Sequence, residues 1–360
     1  QYPDRGDLYP PAQLRRRRVE ILLISAGTQQ MRSLALIGTG LLLLTAGSAG
    51  AAKAPAARAE KAPAEVSVPN SHRIRFTSSI NGRDYLISVA VPLVPPPAQG
   101  YPVLYLFDPH FMFGTAVDAA RMSAPEVMVV GVGYPLDDAD FVSRTVNAVK
   151  DRLPDAFREM PQQTLAIWAL RTHDLTLPAT AEDRRRGTAA GVAALAASLS
   201  GGLDTFLDVV DREVKPRVAA VAPVDASRAA LFGHSLGGLA VLHALFTRPE
   251  SFGHFIAASP SIWAAPALWT EETAFGERIA SAPHAPAVML AVGGREQDRV
   301  GASSKMIDNM REMARRLRAI ERAGPPMQVV DVVFADEDHG SVQQASVSRA
   351  IDFAFRGARR

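Results

Sequence analysis

The chain has 360 residues, 48% of them hydrophobic and 21% charged, a balance that excludes disorder for most of its length and suits one sizeable core. It has no cysteine, which excludes disulfides, thiolate metal sites and a cysteine nucleophile. Six of the 39 basic and three of the 37 acidic residues precede residue 53, so the formal charge of +2 belongs to the N-terminal region, and the near-neutral remainder offers no footprint for nucleic acid or an anionic membrane surface.

Residues 1–30 carry Pro-rich and Arg-rich stretches, including Arg15 to Arg18, and read as an upstream extension outside the native protein, with Met31 as the true start. From there Arg32 supplies a positive start, Leu34 to Ala46 an apolar run, and Ala49, Gly50 and Ala51 a small-residue cleavage site, so residues 31–52 read as a secretory signal peptide. A membrane anchor needs about 20 apolar residues, and this run is shorter. The product is expected to be exported, periplasmic or secreted, with no stable membrane insertion after cleavage. Residues 53–70 mix Ala, Pro, Lys and Glu with almost no large apolar side chain and read as a flexible linker, which leaves 71–360 as one folded domain.

His72 to Thr77 and Tyr85 to Val91 alternate polar and apolar residues around Asn81 and Gly82, the pattern of an antiparallel hairpin at a sheet edge. The character then changes to apolar runs at Pro102 to Phe107, Val127 to Val132, Ala229 to Phe232, Phe255 to Ala258, Ala287 to Val292 and Gln328 to Phe334. Such runs suit parallel strands covered on both faces. Helical spacing marks Gly202 to Val214, through Leu203, Phe206, Leu207 and Val210, and Met306 to Arg322. The fold class is therefore α/β, a mostly parallel central sheet with helices on both faces. Part of the long connection Tyr134 to Pro223 reads as an insertion near the site.

Ala229 to Phe232 runs through Gly233, His234, Ser235, Leu236 and Gly237 into a helical pattern from Leu239 to Thr247. A strand, a G-x-S-x-G turn and a helix make a nucleophile elbow, with Ser235 lifted to the carboxyl edge of the sheet at a helix N-terminus. Small residues are expected at 233 and 237 because the turn is tight. The pentapeptide alone arises by chance in roughly one chain in ten of this length; its placement between strand and helix carries the signal. After such an elbow the partners follow in the order acid, then histidine. The last strand leads into His339, the candidate base, whereas His243 lies inside the helix after the elbow and His254 and His284 precede strands. The loop after the penultimate strand holds Glu296, the first candidate for the acid, and Asp298, the alternative. The bland reading leaves both as solvated loop charges beside a Ser-His dyad.

One oxyanion donor is expected at the Leu236 N–H, and the second in the loop after Pro102 to Phe107, where Pro109 has no N–H to give and the backbone of His110 takes the role. Phe111 and Trp263 stand where they would wall a substrate pocket, and Trp269 is a further candidate; core packing is the competing reading for the tryptophans. Arg171 suits an acidic substrate group, or an internal ion pair with Asp174 or another carboxylate.

From about Asn81 to Phe355 the chain resembles the bacterial putative-esterase family of α/β hydrolases, particularly the exported branch similar to periplasmic trilactone siderophore esterases. The resemblance rests on PVLYLFD, RTHDLTLP, GGLDTFLDVVDREVKPRV, RAALFGHSLGGLAVLHALFTRPESFGHFIAASPSIW, AVGGREQ and EDHGSV. It implies an α/β-hydrolase fold, residues 71–360 as the catalytic domain, and hydrolysis of a small-molecule ester through Ser235 and His339 without metal or cofactor. Some members of that branch resemble Ser-His dyads. This chain departs from the family pattern at Pro109, commonly Gly, and at Ala264, commonly a second Trp.

The expected function is a serine carboxylic-ester hydrolase acting through an acyl-enzyme on siderophore-type lactone esters. Its rivals are an exported acyltransferase, a feruloyl or acetyl sugar esterase, and a binding protein on a catalytically dead hydrolase scaffold. Mass analysis of the exported product is expected to find an N-terminus close to residue 52; a mature chain retaining Arg15 to Arg18 rejects Met31 as the start.

Overall fold

A turn at Asn81 and Gly82, where Gly82 takes φ 69°, folds β1 (Ser71–Thr77) antiparallel onto β2 (Asp84–Ala90) at the edge of the sheet. The computed structural model describes residues 67–153, 155–181, 192–280, 282, 285–299, 304–324 and 327–356. After the hairpin come β3 (Tyr101–Phe107), β4 (Met128–Gly133), β5 (Val224–His234), β6 (His254–Ala258), β7 (Ala287–Gly293) and β8 (Val329–Phe334). The eight strands form one sheet in the order β1-β2-β4-β3-β5-β6-β7-β8. β2 also pairs antiparallel with β4, and every later neighbour is parallel.

The named helices are α1 (Pro109–Ser123), α2 (Ala139–Asn147), α3 (Gln162–Asp174), α4 (Val192–Leu199), α5 (Leu203–Val209), α6 (Leu236–Thr247), α7 (Ala267–Ile279), α8 (Met306–Ala323) and α9 (Val342–Ile351). Successive residues of a strand point to opposite faces. In β3, Val103, Tyr105 and Phe107 enter the larger core under α5 to α8, and Leu104 and Leu106 enter the core under α1 and α9. Both faces are dry, which is why the sequence shows runs instead of alternation. α6 is apolar all round because it is buried from Gly237 to Phe246.

The hairpin, the six later strands and the two predicted helices lie where the sequence pattern puts them, with local differences. β5 begins at Val224, ahead of the expected Ala229, because Val224 pairs with Tyr101 although Ala226, Ser227 and Arg228 include exposed positions that leave no apolar run. The helix expected over Gly202 to Val214 begins at Leu203 and widens into a π turn at Val210–Val214 before resuming at Lys215–Ala219. Pro216 has no N–H for a regular i to i−4 bond, which accounts for a break at that point. His254 is the first residue of β6 and does not precede it. The expected linker ends before residue 70: Asn70 Nδ2 donates to the carbonyls of Val91 and Pro92 (3.0 and 3.2 Å). The upstream extension, the signal peptide, most of the linker and His284 lie outside the described residues. Among the described residues no helix is long and apolar enough to cross a membrane.

His243 ties three helices together. Its Nδ1 lies 2.8 Å from Glu271 on α7 and its Nε2 3.0 Å from Asp204 on α5. Burial opposes the charged ring, but the hydrogen bonds and charges of Glu271 and Asp204 outweigh it and raise the pKa above 6.5. A raised folded-state pKa contributes stability that is complete below the unfolded value and fades as pH rises through the folded one. Wild type should therefore exceed His243→Gln in stability by about 1–2 kcal/mol at pH 6, with a smaller gap at alkaline pH. Urea midpoints at the two pH values check this, and a gap that widens with pH contradicts it.

Candidate active site

The carboxyl ends of β5, β7 and β8 bring three distant side chains together. At the β5–α6 junction Ser235 has φ 60° and ψ −116°, a conformation that L residues rarely adopt. Backbone bonds hold it there: its N–H donates to the Ala258 carbonyl (3.0 Å), and its carbonyl accepts from Leu239 (3.0 Å) and Ser261 (3.1 Å). The Ser235 Oγ lies 3.0 Å from His339 Nε2, and His339 Nδ1 lies 2.7 Å from Glu296 Oε2.

Glu296 has no solvent exposure. Its other oxygen, Oε1, accepts from the Gly293 N–H (2.6 Å) and the Ser259 hydroxyl (2.5 Å). The reading of Glu296 as a solvated loop charge is therefore overturned. Asp298 falls in the short helix Glu296–Arg299, and its side chain is outside those described. The His339 ring packs 4.7 Å from that of His234. Burial, followed by the charges of His339 and Arg171, pushes His234 well below the usual histidine value, so this neighbour is neutral.

His110 is the second residue of α1, behind Pro109 at the first position, where a missing N–H costs no helical bond. The backbone N–H groups of His110 and Leu236 both fall in first helical turns, which lack intrahelical partners. The His110 ring is engaged elsewhere, accepting from the Tyr134 N–H (3.2 Å). Arg171 pairs with Asp108 and not with Asp174: its Nε donates to Asp108 Oδ1 at 2.6 Å. Asp174 is taken by the Tyr85 hydroxyl and His173. Phe111 and Trp263 are about half exposed, at 48% and 52%. Trp269 is partly buried and packs on the larger core with the Arg316 guanidinium over its ring.

A family model described as Putative esterase matches residues 175–323. The ferri-bacillibactin esterase BesA of Bacillus subtilis is 32% identical over 299 residues, which cover 78% of this chain and 89% of the relative. The siderophore triacetylfusarinine C esterase of Aspergillus fumigatus is 33% identical over 322 residues, covering 81% and 96%. Among solved structures, the siderophore hydrolase EstB from Aspergillus nidulans is similar at a TM-score of 0.60 and 29% identity, over 83% of this chain and 100% of that one. The chain belongs to the putative-esterase family. It is a carboxylic-ester hydrolase of the α/β-hydrolase fold.

Sequence reasoning about this esterase missed Ser259, Asp108 and His234, whose roles depend on contacts across the chain. It also treated the two glycines of the elbow alike, and the structure separates them. A Cβ at Gly233 would stand 2.2 Å from the Gly237 carbonyl oxygen, whereas a Cβ at Gly237 meets nothing closer than Asp108 Oδ2 at 3.3 Å. The second tight position is Gly238, where a Cβ would stand 2.7 Å from the Ala258 carbonyl oxygen. Gly233→Ala should cost about 3 kcal/mol or more, and Gly237→Ala less than about 1.5 kcal/mol. Thermal unfolding of the two variants checks the order, and equal losses contradict it.

Proposed function

We propose that this esterase cleaves siderophore-type lactone esters through an acyl-enzyme formed on Ser235. What carries this reading is the continuous hydrogen-bonded path Ser235 Oγ, His339, Glu296, at 3.0 and 2.7 Å. Ser235 Oγ attacks the ester carbonyl while His339 Nε2 takes its proton. The Leu236 and His110 N–H groups receive the developing oxyanion. When the tetrahedral species collapses, His339 returns the proton to the leaving alkoxide. Water then attacks the acyl carbonyl as His339 takes its proton, and the acid is released as His339 passes that proton to the departing Ser235 Oγ. Glu296 fixes the imidazole tautomer and stabilises its cationic form between the two transfers.

The substrate class rests on the relatives, which are named as esterases of ferri-bacillibactin and triacetylfusarinine C. Phe111 and Trp263 offer apolar faces to the acyl or alkoxy arms of such a substrate. Arg171, whose Nε donates to Asp108, is the candidate for an acidic group of the substrate. The leader read in the sequence from Met31 supports an exported enzyme, periplasmic or secreted.

Ser235→Ala should lower kcat on a short p-nitrophenyl ester roughly 10⁴-fold or more while leaving the fold intact. Glu296→Gln should lower kcat about 10²-fold or more with little change in KM. Turnover retained in Ser235→Ala overturns the assignment. A trilactone substrate left uncleaved beside a turned-over simple ester, followed by mass detection, overturns the substrate class alone.

A further inference from the structure

A cavity of about 380 Å³ opens between the β1–β2 turn, α2 with the turn that follows it, α3 and the end of α4. Its floor is apolar, made by Phe141, Val149, Leu170 and Leu199, of which the first three are buried. Its other lining includes Arg83, Arg144, Arg152 and His173, against one lining carboxylate, Asp84.

Among the described residues the three arginines are poorly compensated. Arg152 donates to two neutral acceptors, the Ser198 hydroxyl (3.2 Å) and the Ala148 carbonyl (3.3 Å). Arg144 approaches Asp84 only to 3.9 Å, and Asp84 already accepts from the Thr77 hydroxyl at 2.5 Å. Arg83 stands 3.7 Å from Asp174, a carboxylate that the Tyr85 hydroxyl and His173 also share. A guanidinium with unused donors matches a carboxylate through paired N–H···O bonds. The cavity is also larger than a bare inorganic anion requires. Its volume lies in the range of about 300–1,000 Å³ that holds small organic ligands on apolar walls with a few convergent polar groups.

We propose that this cavity binds a small aromatic carboxylate, with the ring on the Phe141, Val149 and Leu170 floor and the carboxylate held by Arg144 and Arg152. The site is separate from Ser235, His339 and Glu296, none of which lines it. α3 is the wall between them: Arg171 leaves it toward Asp108, while Leu170 and His173 face the cavity. The ligand class is argued from the cavity alone and stands apart from the catalytic reading.

Calorimetric titration of the full chain with benzoate tests the proposal, alongside the Arg144→Ala/Arg152→Ala double variant, with neutral benzamide and inorganic phosphate as further probes. Both side chains are exposed, so the double variant should keep its melting temperature and its ester turnover. Saturable benzoate binding is expected, about tenfold or more weaker in the double variant and about tenfold or more weaker for benzamide. Three results overturn it: no saturable binding, benzoate affinity unmoved by the double substitution, or phosphate binding as tightly as benzoate. The second assigns the benzoate to another site, and the third reduces the cavity to a patch that attracts any anion.

Discussion

A carboxylate with no access to water is tolerable only if donors surround it. Glu296 meets that condition with three, each from a different place in the chain: the Gly293 N–H, the Ser259 hydroxyl and the His339 ring. The requirement ties the β6 loop, the β7 loop and the β8 loop to one point. Ser259 itself takes φ 43°, an uncommon backbone state for a residue other than glycine. Its N–H donates to the Ala291 carbonyl at 2.7 Å, so β7 holds the loop whose hydroxyl serves Glu296. Placing the imidazole thus becomes a consequence of burying the acid. Once Nδ1 is committed to Glu296, Nε2 is left for Ser235.

Parallel topology makes this convergence available. β5, β6, β7 and β8 all run the same way, so the loops carrying Ser235, Ser259, Glu296 and His339 leave from one edge. That much was legible in the sequence, because continuous apolar runs identify covered parallel strands and because the elbow, the acid loop and the histidine loop each follow one of them. The strand count, the hairpin edge and the order of the three loops required no coordinates. Other features were not legible. Ser259 looks like any turn serine until the buried carboxylate beside it is known. The partner of Arg171 could not be chosen, since Asp174 is close in sequence and in the same last turn of the helix, yet it is held by the Tyr85 hydroxyl and His173. The unequal demands on Gly233 and Gly237 arise from the path of the backbone, which a pentapeptide pattern does not encode.

Asp108 shows how the charge near the elbow is balanced. It occupies the left-handed region at φ 57°, ahead of α1, and is nearly fully buried. One oxygen takes the Arg171 Nε, while Oδ2 is buried with no hydrogen-bond partner among the described residues. Left alone, that anion would oppose an oxyanion forming on the same sheet edge. Although burial works against its charge, Arg171 is held above its ordinary pKa by the charge and hydrogen bond of Asp108, so its positive charge stands against that carboxylate. Removing the arginine would leave a buried carboxylate uncompensated beside the proposed oxyanion donors. Its importance therefore extends beyond contact with a substrate.

The same turn explains how this esterase accommodates proline at position 109. Pro109 fixes φ near −65°, the value that the first residue of a helix adopts. It thereby stiffens the start of α1 immediately after the strained Asp108. The N–H that proline lacks belongs to a position that makes no intrahelical bond, so the helix loses nothing. The following residue, His110, becomes the first in α1 with an N–H to offer, and its ring is anchored to the Tyr134 backbone. A glycine at 109 would supply one more donor on a looser turn, whereas proline supplies none and fixes the geometry of the next. In the proposed reaction the second oxyanion donor is a single N–H held by rigid neighbours on either side, and precision in its direction takes the place of a choice between two.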